Sequence, residues 1–108
     1  MAYNKVIADK IRDGIRLFPE EFTEKKMFGG LSFLYRNKMT LGVIKDELAV
    51  RVISDKMEVV LEKDFVRPMD FTKRPMKEFI FVSPDGFKTK EQLRAWIALG
   101  LEHAKSKL

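Results

Sequence analysis

The strongest constraint on the fold is the stretch 26–53, in which short apolar runs alternate with polar turns. The run KMFGGLSFLY is followed by a turn at 36–38, and MTLGVIK by a turn at 46–47, before LAVRVI ends the stretch. Runs of this length joined by such short turns predict three antiparallel strands. The glycine pair at 29–30 predicts a bulge or bend in the first strand, because glycine permits positive φ.

Three helices are predicted around these strands. The first has apolar residues at helical spacing, and Ser54 is expected to cap the second. Thr89 and Gln92 form a capping-box pattern before the third, whose long apolar stripe includes Trp96 and places that residue in the core. The predicted helices cover residues 3–18, about 55–63, and 90 to the C-terminal end.

The order of elements predicts the fold class. Two more strands, about 66–71 and 77–83, complete the order αβββαββα. Three helices of this size can cover one face of an antiparallel sheet, so we expect an α+β two-layer sandwich, with residues 1–108 as a single domain. The other sheet face should be exposed and half apolar, which favours a homodimer through the sheet or its edge. Its predicted residues are Ser32, Leu34, Thr40, Ile44, Arg51 and Ile53.

Several classes of function are disfavoured by what the sequence lacks. The chain has no cysteine, and its one histidine, His103, is predicted to lie on the surface near a helix end. Spaced metal ligands, a phosphate-binding glycine loop and a nucleophile with its base are missing as patterns. We therefore predict no cofactor, no metal site and no catalytic residue. The sequence also shows neither a signal peptide nor a membrane span, so a cytoplasmic location is expected.

The basic residues of the last third suggest a candidate interaction patch. The net charge is +5, and residues 67–108 hold nine cations against five acids. The octet MDFTKRPM at 69–76 reads as a structural corner because Pro75 restricts the backbone. It also carries a cationic group that could bind phosphate, and the two interpretations are compatible. Arg51 is either a solvated charge or part of a dimer or ligand surface. The candidate patch consists of Arg51, Lys73, Arg74, Lys77, Lys88 and Lys90.

Taken in order, several short motifs resemble the N-terminal domain of TfoX (Sxy), the bacterial competence regulator. The likeness spans roughly residues 10–104. The motifs are KMFGG at 26–30, GV at 42–43, Leu48 with RV at 51–52, MDFT at 69–72 with RPM at 74–76, and TKEQL at 89–93 with Trp96. The resemblance implies the same αβββαββα arrangement, similar to that of type III secretion chaperones.

The resemblance also implies a function. Full-length TfoX proteins promote transcription of competence genes together with the cyclic-AMP receptor protein, and they carry a second, helical domain. This chain ends at Leu108, so we expect a stand-alone N-terminal-type domain. The leading hypothesis is a small non-catalytic regulatory module that docks a protein partner. The alternatives are direct nucleic-acid binding through the basic turn, and a small-ligand-binding protein or enzyme.

Overall fold

The computed structural model describes residues 3–27, 29–68 and 78–108. Within these ranges six strands form one antiparallel sheet in the order β1-β2-β3-β4-β6-β5, accompanied by three α-helices. The predicted α+β class is thereby confirmed. The strands are β1 (Thr23–Met27), β2 (Gly30–Tyr35), β3 (Lys38–Ile44), β4 (Glu47–Arg51), β5 (Val66–Pro68) and β6 (Phe79–Val82); the helices are α1 (Lys5–Ile15), α2 (Ser54–Leu61) and α3 (Lys90–Ser106).

The first predicted strand divides into two. Lys26 and Met27 end β1, and Gly30 begins β2, which pairs back on β1 with Met27 opposite Gly30. Gly29 lies between them with φ of 74°, a left-handed conformation that glycine adopts without a steric penalty. The glycine pair therefore reverses the chain direction, where the sequence suggested only a bend.

The helix ends show which side chains cap the backbone. Asn4 caps α1, because its side chain accepts hydrogen bonds from the amides of Val6 and Ile7. The capping box predicted for α3 is confirmed, with Thr89 and Gln92 bonded reciprocally at 3.1 Å. The predicted Ser54 cap of α2 is wrong. Ser54 is the first helical residue, and its hydroxyl instead donates to Glu78 Oε2 at 2.8 Å.

The main core lies between one sheet face and the helices α1 and α3. Ile7 and Ile11 of α1 and Ile97 of α3 are buried there. Trp96 lies in this core as predicted, and its indole N–H donates to the carbonyl of Gly86 at 2.8 Å. The sheet contributes a continuous set of inward side chains to this core: Leu31, Phe33, Leu41, Val43, Leu48, Val50, Val52, Ile80 and Val82.

The opposite sheet face is not the exposed surface that the sequence predicted. Its cross-strand neighbours Ala49 and Phe81 are buried together in a second apolar cluster. The backbone of Thr40 in β3 lies against Gly100 of α3. Four of the residues predicted to be exposed are in fact buried: Ser32, Leu34, Thr40 and Ile44. The burial of this face removes the observation that suggested a homodimer, which stays a prediction.

The two sheet edges carry features that discourage further strand pairing. The edge strand β1 exposes Glu24, Lys25 and Lys26, while β5 has three residues and ends at Pro68. Charged or short edge strands and proline are devices by which sheets avoid edge-to-edge association. None of the helices in the described ranges has the length and apolarity that crossing a membrane requires.

Candidate functional site

The described residues of the predicted patch lie at the two ends of α3. Lys88 and Lys90 lie at its N-terminal end, whereas Arg51 contacts His103 near its C-terminal end. Lys90 and His103 are 13 residues apart in the sequence. At 1.5 Å per residue this separation is about 20 Å along the helix axis. The remaining patch residues, Lys73, Arg74 and Lys77, lie outside the described residues.

The N-terminal end of α3 borders a groove of about 340 Å³, which we call the basic groove. It runs between the C-terminal half of α1 and the first turns of α3. Gly14 lets α1 pack closely on α3 beside the groove, since a Cβ at this position would lie 2.7 Å from Ile97 Cδ1. The apolar residues of the groove are Gly14, Leu17, Phe87 and Leu93, and its cations are Lys10, Lys88, Lys90 and Arg94.

The cations of the basic groove are weakly compensated by acids. Lys88 pairs with Asp85 at 3.2 Å, but both side chains are largely exposed, so the pair holds the lysine only loosely. Across the described ranges, Lys10, Lys90 and Arg94 take part in no ion pair. Partial positive charge at the start of α3 adds to the same potential. The groove therefore combines an apolar floor with a cationic rim.

Leu17 is the most conspicuous apolar group of the basic groove. It lies in the turn that follows α1 and is 64% exposed. Its amide donates to the carbonyl of Gly14 at 3.2 Å, which holds the turn against the helix end. An exposed leucine beside buried Phe87 and Leu93 extends apolar surface from the floor to the outside of the groove.

The C-terminal end of α3 holds a different arrangement, which we call the Arg51 cluster: Arg51, Ser54, Glu78, His103 and Lys107. The Arg51 guanidinium lies 4.7 Å from the centre of the Phe79 ring, and its Nη2 is 3.3 Å from His103 Nε2. Glu78 Oε1 is also 3.3 Å from His103 Nε2 and 3.5 Å from Lys107 Nζ. Strand β4, the turn before β6, helix α2 and the C-terminal end of α3 thus meet through polar side chains.

The surface position predicted for His103 is wrong, because the residue is only 3% exposed. It follows Trp96 by seven residues and Gly100 by three, so it lies on the buried side of α3. That spacing was the available signal. Sequence analysis also missed Glu78, whose role depends on contacts with residues distant in the chain and on a left-handed backbone with φ of 60°.

Two groups compete for the same nitrogen of His103. If Nε2 accepts a hydrogen bond from Arg51, it has no proton to donate to Glu78. If Nε2 instead carries the proton and donates it to Glu78, its N–H and the N–H of Arg51 are two donors that face each other. The other ring nitrogen, Nδ1, is buried without a hydrogen-bond partner in the described part of the chain. One contact of this imidazole therefore stays unsatisfied in either tautomer.

Burial and hydrogen bonding shift the ionisation of the Arg51 cluster. Burial lowers the pKa of His103, which favours the neutral imidazole, although the hydrogen bond to Glu78 opposes this effect. The Ser54 hydroxyl, followed by His103, lowers the pKa of Glu78 to about 2. Burial also lowers the pKa of Arg51, with the charge of Glu78 acting in the opposite direction. The carboxylate is thus the charge that these side chains stabilise most directly.

The described residues contain no group of three or more histidine, cysteine, aspartate or glutamate side chains placed to hold a metal ion. The Arg51 cluster includes only one carboxylate and one imidazole, and the basic groove is lined by one acid, Asp13. Asp13 itself pairs with Arg16 at 3.1 Å. Among the described residues, both places therefore hold more cations than acids.

Comparison with known proteins places the chain in a family. The model of the TfoX N-terminal domain matches residues 17–104 of the 108-residue chain. That range includes β1 to β6 and most of α3, with the whole Arg51 cluster except Lys107, whereas α1 precedes it. No curated protein matches the chain. The TfoX N-terminal domain is not a known enzyme family. The chain belongs to the TfoX N-terminal domain family.

Proposed function

We propose that this protein is a non-catalytic regulatory module that docks a protein partner in the basic groove, as part of transcriptional control of the competence type. Its family supports a TfoX-like role. The observation that carries the proposal is the pairing of an apolar floor with four cations at the groove rim.

The partner is an acidic segment with an apolar side chain. Leu17, Phe87 and Leu93 gain from contact with an apolar anchor, since removing apolar surface from water is favourable by about 25 cal/mol per Å². The surrounding cations then select carboxylates over other surfaces and speed encounter. An amphipathic acidic helix satisfies both demands, because its two faces present the two kinds of side chain at i, i+3 and i+4 spacing.

Nucleic acid is the competing ligand for the same cations. Its phosphates would use Lys10, Lys88, Lys90 and Arg94 but would gain little from the exposed leucine. The dependence on Leu17 therefore separates the two candidates. Salt separates them as well, because phosphate binding weakens with a log–log slope of about −0.9 per neutralised phosphate, whereas apolar docking persists.

The test is a titration with synthetic acidic helical peptides, each carrying one leucine or phenylalanine, followed by NMR of the protein amides. We expect shifts around the groove and at least a tenfold loss of affinity for Leu17→Asp, about 1.4 kcal/mol. Val59→Asp is the matched control, because Val59 is also 64% exposed but lies on α2.

Three outcomes would contradict the proposal. Equal losses for Leu17→Asp and Val59→Asp would show that added negative charge, and not the groove, weakens binding. Peptide shifts confined to other surfaces would exclude the groove. Tight binding of a DNA duplex would favour the nucleic-acid function if Leu17→Asp weakened that binding no more than its added negative charge requires.

A further inference from the structure

We propose a second, separate site: the hollow beside the Arg51 cluster binds a small oxyanion of the phosphate or carboxylate class. The hollow has a volume of about 400 Å³ and lies between the β2–β3 turn, the end of β4 and the last turns of α3. It is lined by Asn37, Lys38, Met39, Arg51, His103 and Lys107. The site does not depend on the basic groove, which lies at the other end of α3.

The lining of this hollow is rich in hydrogen-bond donors, with Met39 as its apolar side chain. Lys38, Arg51 and Lys107 carry positive charge, and no lining side chain is a carboxylate. The acid beside the hollow is Glu78, whose Oε2 already accepts from Ser54 and whose Oε1 faces His103 and Lys107. Within the described part of the chain, one carboxylate therefore stands against three permanent cations, and this balance of charge favours a further negative group.

Arg51 forms no ion pair with the residues that the structure describes. No carboxylate of the described residues lies within 4.0 Å of its guanidinium, although the side chain is half-buried. Taking a charge partly out of water without an ionic partner is unfavourable. The Phe79 ring covers one flat face of the Arg51 guanidinium. The edge of a guanidinium carries a planar fork of N–H donors, which matches the geometry of an oxyanion.

A bound oxyanion would also resolve the competition at His103. Arg51 could then donate to the anion instead of to Nε2, and Nε2 would be free to donate its proton to Glu78. Negative charge near the ring would favour this arrangement further. An anion from outside the chain would thus remove the conflict at Nε2 between Arg51 and Glu78.

The experiment uses inorganic phosphate at constant ionic strength, with sodium chloride replaced stepwise by sodium phosphate. We expect saturable shifts of the His103 ring and Arg51 side-chain NMR signals. A parallel titration with sodium acetate distinguishes phosphate from carboxylate preference. Saturation by either anion supports the site, whereas unsaturated shifts spread over all lysines, or none at all, overturn it.

Substitution of Arg51 localises the effect. Arg51→Gln should weaken phosphate binding at least tenfold, while Arg94→Gln, an equal change of charge at the basic groove, should leave it within about twofold. Equal losses in the two variants would overturn the proposal. The titration of the unaltered protein stays decisive if Arg51→Gln fails to fold. Acidic-peptide binding in the basic groove should survive Arg51→Gln, which keeps the two proposals distinguishable.

Discussion

The two ends of α3 handle positive charge in opposite ways. At the N-terminal end, Lys88 and Lys90 keep their charges in water beside an apolar groove. At the C-terminal end, Arg51 and the buried His103 lie among Glu78, Ser54 and Lys107. The comparison teaches that the two ends of one helix can differ in how charge contributes to stability. Solvated charge at the N-terminal end adds little, whereas the partly buried polar contacts at the C-terminal end join several elements.

The packing of glycine should show the largest difference between the two ends. A Cβ at Gly100 would lie 2.7 Å from the carbonyl carbon of Thr40, which is backbone of β3, whereas a Cβ at Gly14 would meet the movable tip of Ile97 at 2.7 Å. We expect Gly100→Ala to lower the free energy of unfolding by about 2–3 kcal/mol through overpacking. Gly14→Ala should change the free energy of unfolding by no more than about 1 kcal/mol, because the higher helix propensity of alanine offsets the contact with Ile97. Denaturant unfolding measures both, and equal losses would contradict the contrast.

Removing a charged group should lower the stability of the fold clearly at the C-terminal end of α3 and hardly at its N-terminal end. Glu78→Gln weakens hydrogen bonds from Ser54 and His103, and we expect it to lower the free energy of unfolding by about 1–2 kcal/mol. Lys88→Gln removes a solvated ion pair with Asp85 and should change the free energy of unfolding by less than about 0.5 kcal/mol. Thermal and urea unfolding would test the pair. A loss for Lys88→Gln as large as that for Glu78→Gln would show that the groove charges are structural.

The pH dependence of stability between about pH 7 and 5 should come from the C-terminal end of α3. Burial lowers the pKa of His103 below its ordinary value near 6.5, so the unfolded chain binds more protons there. The free energy of unfolding should therefore fall as pH falls from about 7 to 5. A further loss should appear below about 4.5, because the pKa of Glu78 is lowered to about 2.

His103 is the only histidine, which makes the first change assignable. A His103→Phe variant should lose the dependence between pH 7 and 5, and Glu78→Gln should reduce the loss in acid. Urea unfolding at a series of pH values measures both. A wild-type stability that rises as pH falls from 7 to 5 would contradict the assignment.

The smallest expected contrast concerns two hydroxyls that both looked like helix caps. Thr89→Ala removes a helix cap and should lower the free energy of unfolding by about 1 kcal/mol, both in the wild-type protein and in Glu78→Gln. Ser54→Ala removes a hydrogen bond to Glu78 of similar strength, so its effect should shrink in the Glu78→Gln background. A double-mutant cycle measures the coupling. Additive effects of Ser54→Ala and Glu78→Gln would mean that Ser54 acts on α2 alone.

The comparison also shows how far sequence analysis reached at each site. Lys88 and Lys90 were identified because a cation beside a turn is visible in the sequence. The apolar half of the basic groove was missed, since it forms only where α1 meets α3. Arg51 was identified as either a solvated charge or part of a dimer or ligand surface. Its neighbours were not identified, because His103 is 52 residues away from it and Glu78 lies in the turn before β6, 25 residues from His103.

The sequence by itself determined most elements of this protein: the β2–β3 and β3–β4 hairpins, the amphipathic helices, the capping box at Thr89 and the core position of Trp96. These follow from side-chain direction within one strand or helix, which repeats every 2 or 3.6 residues. Only the tertiary structure decided that the second sheet face is buried and that Arg51, Glu78 and His103 meet. Those contacts depend on strand order and helix placement, which join residues far apart in the chain and leave no local pattern.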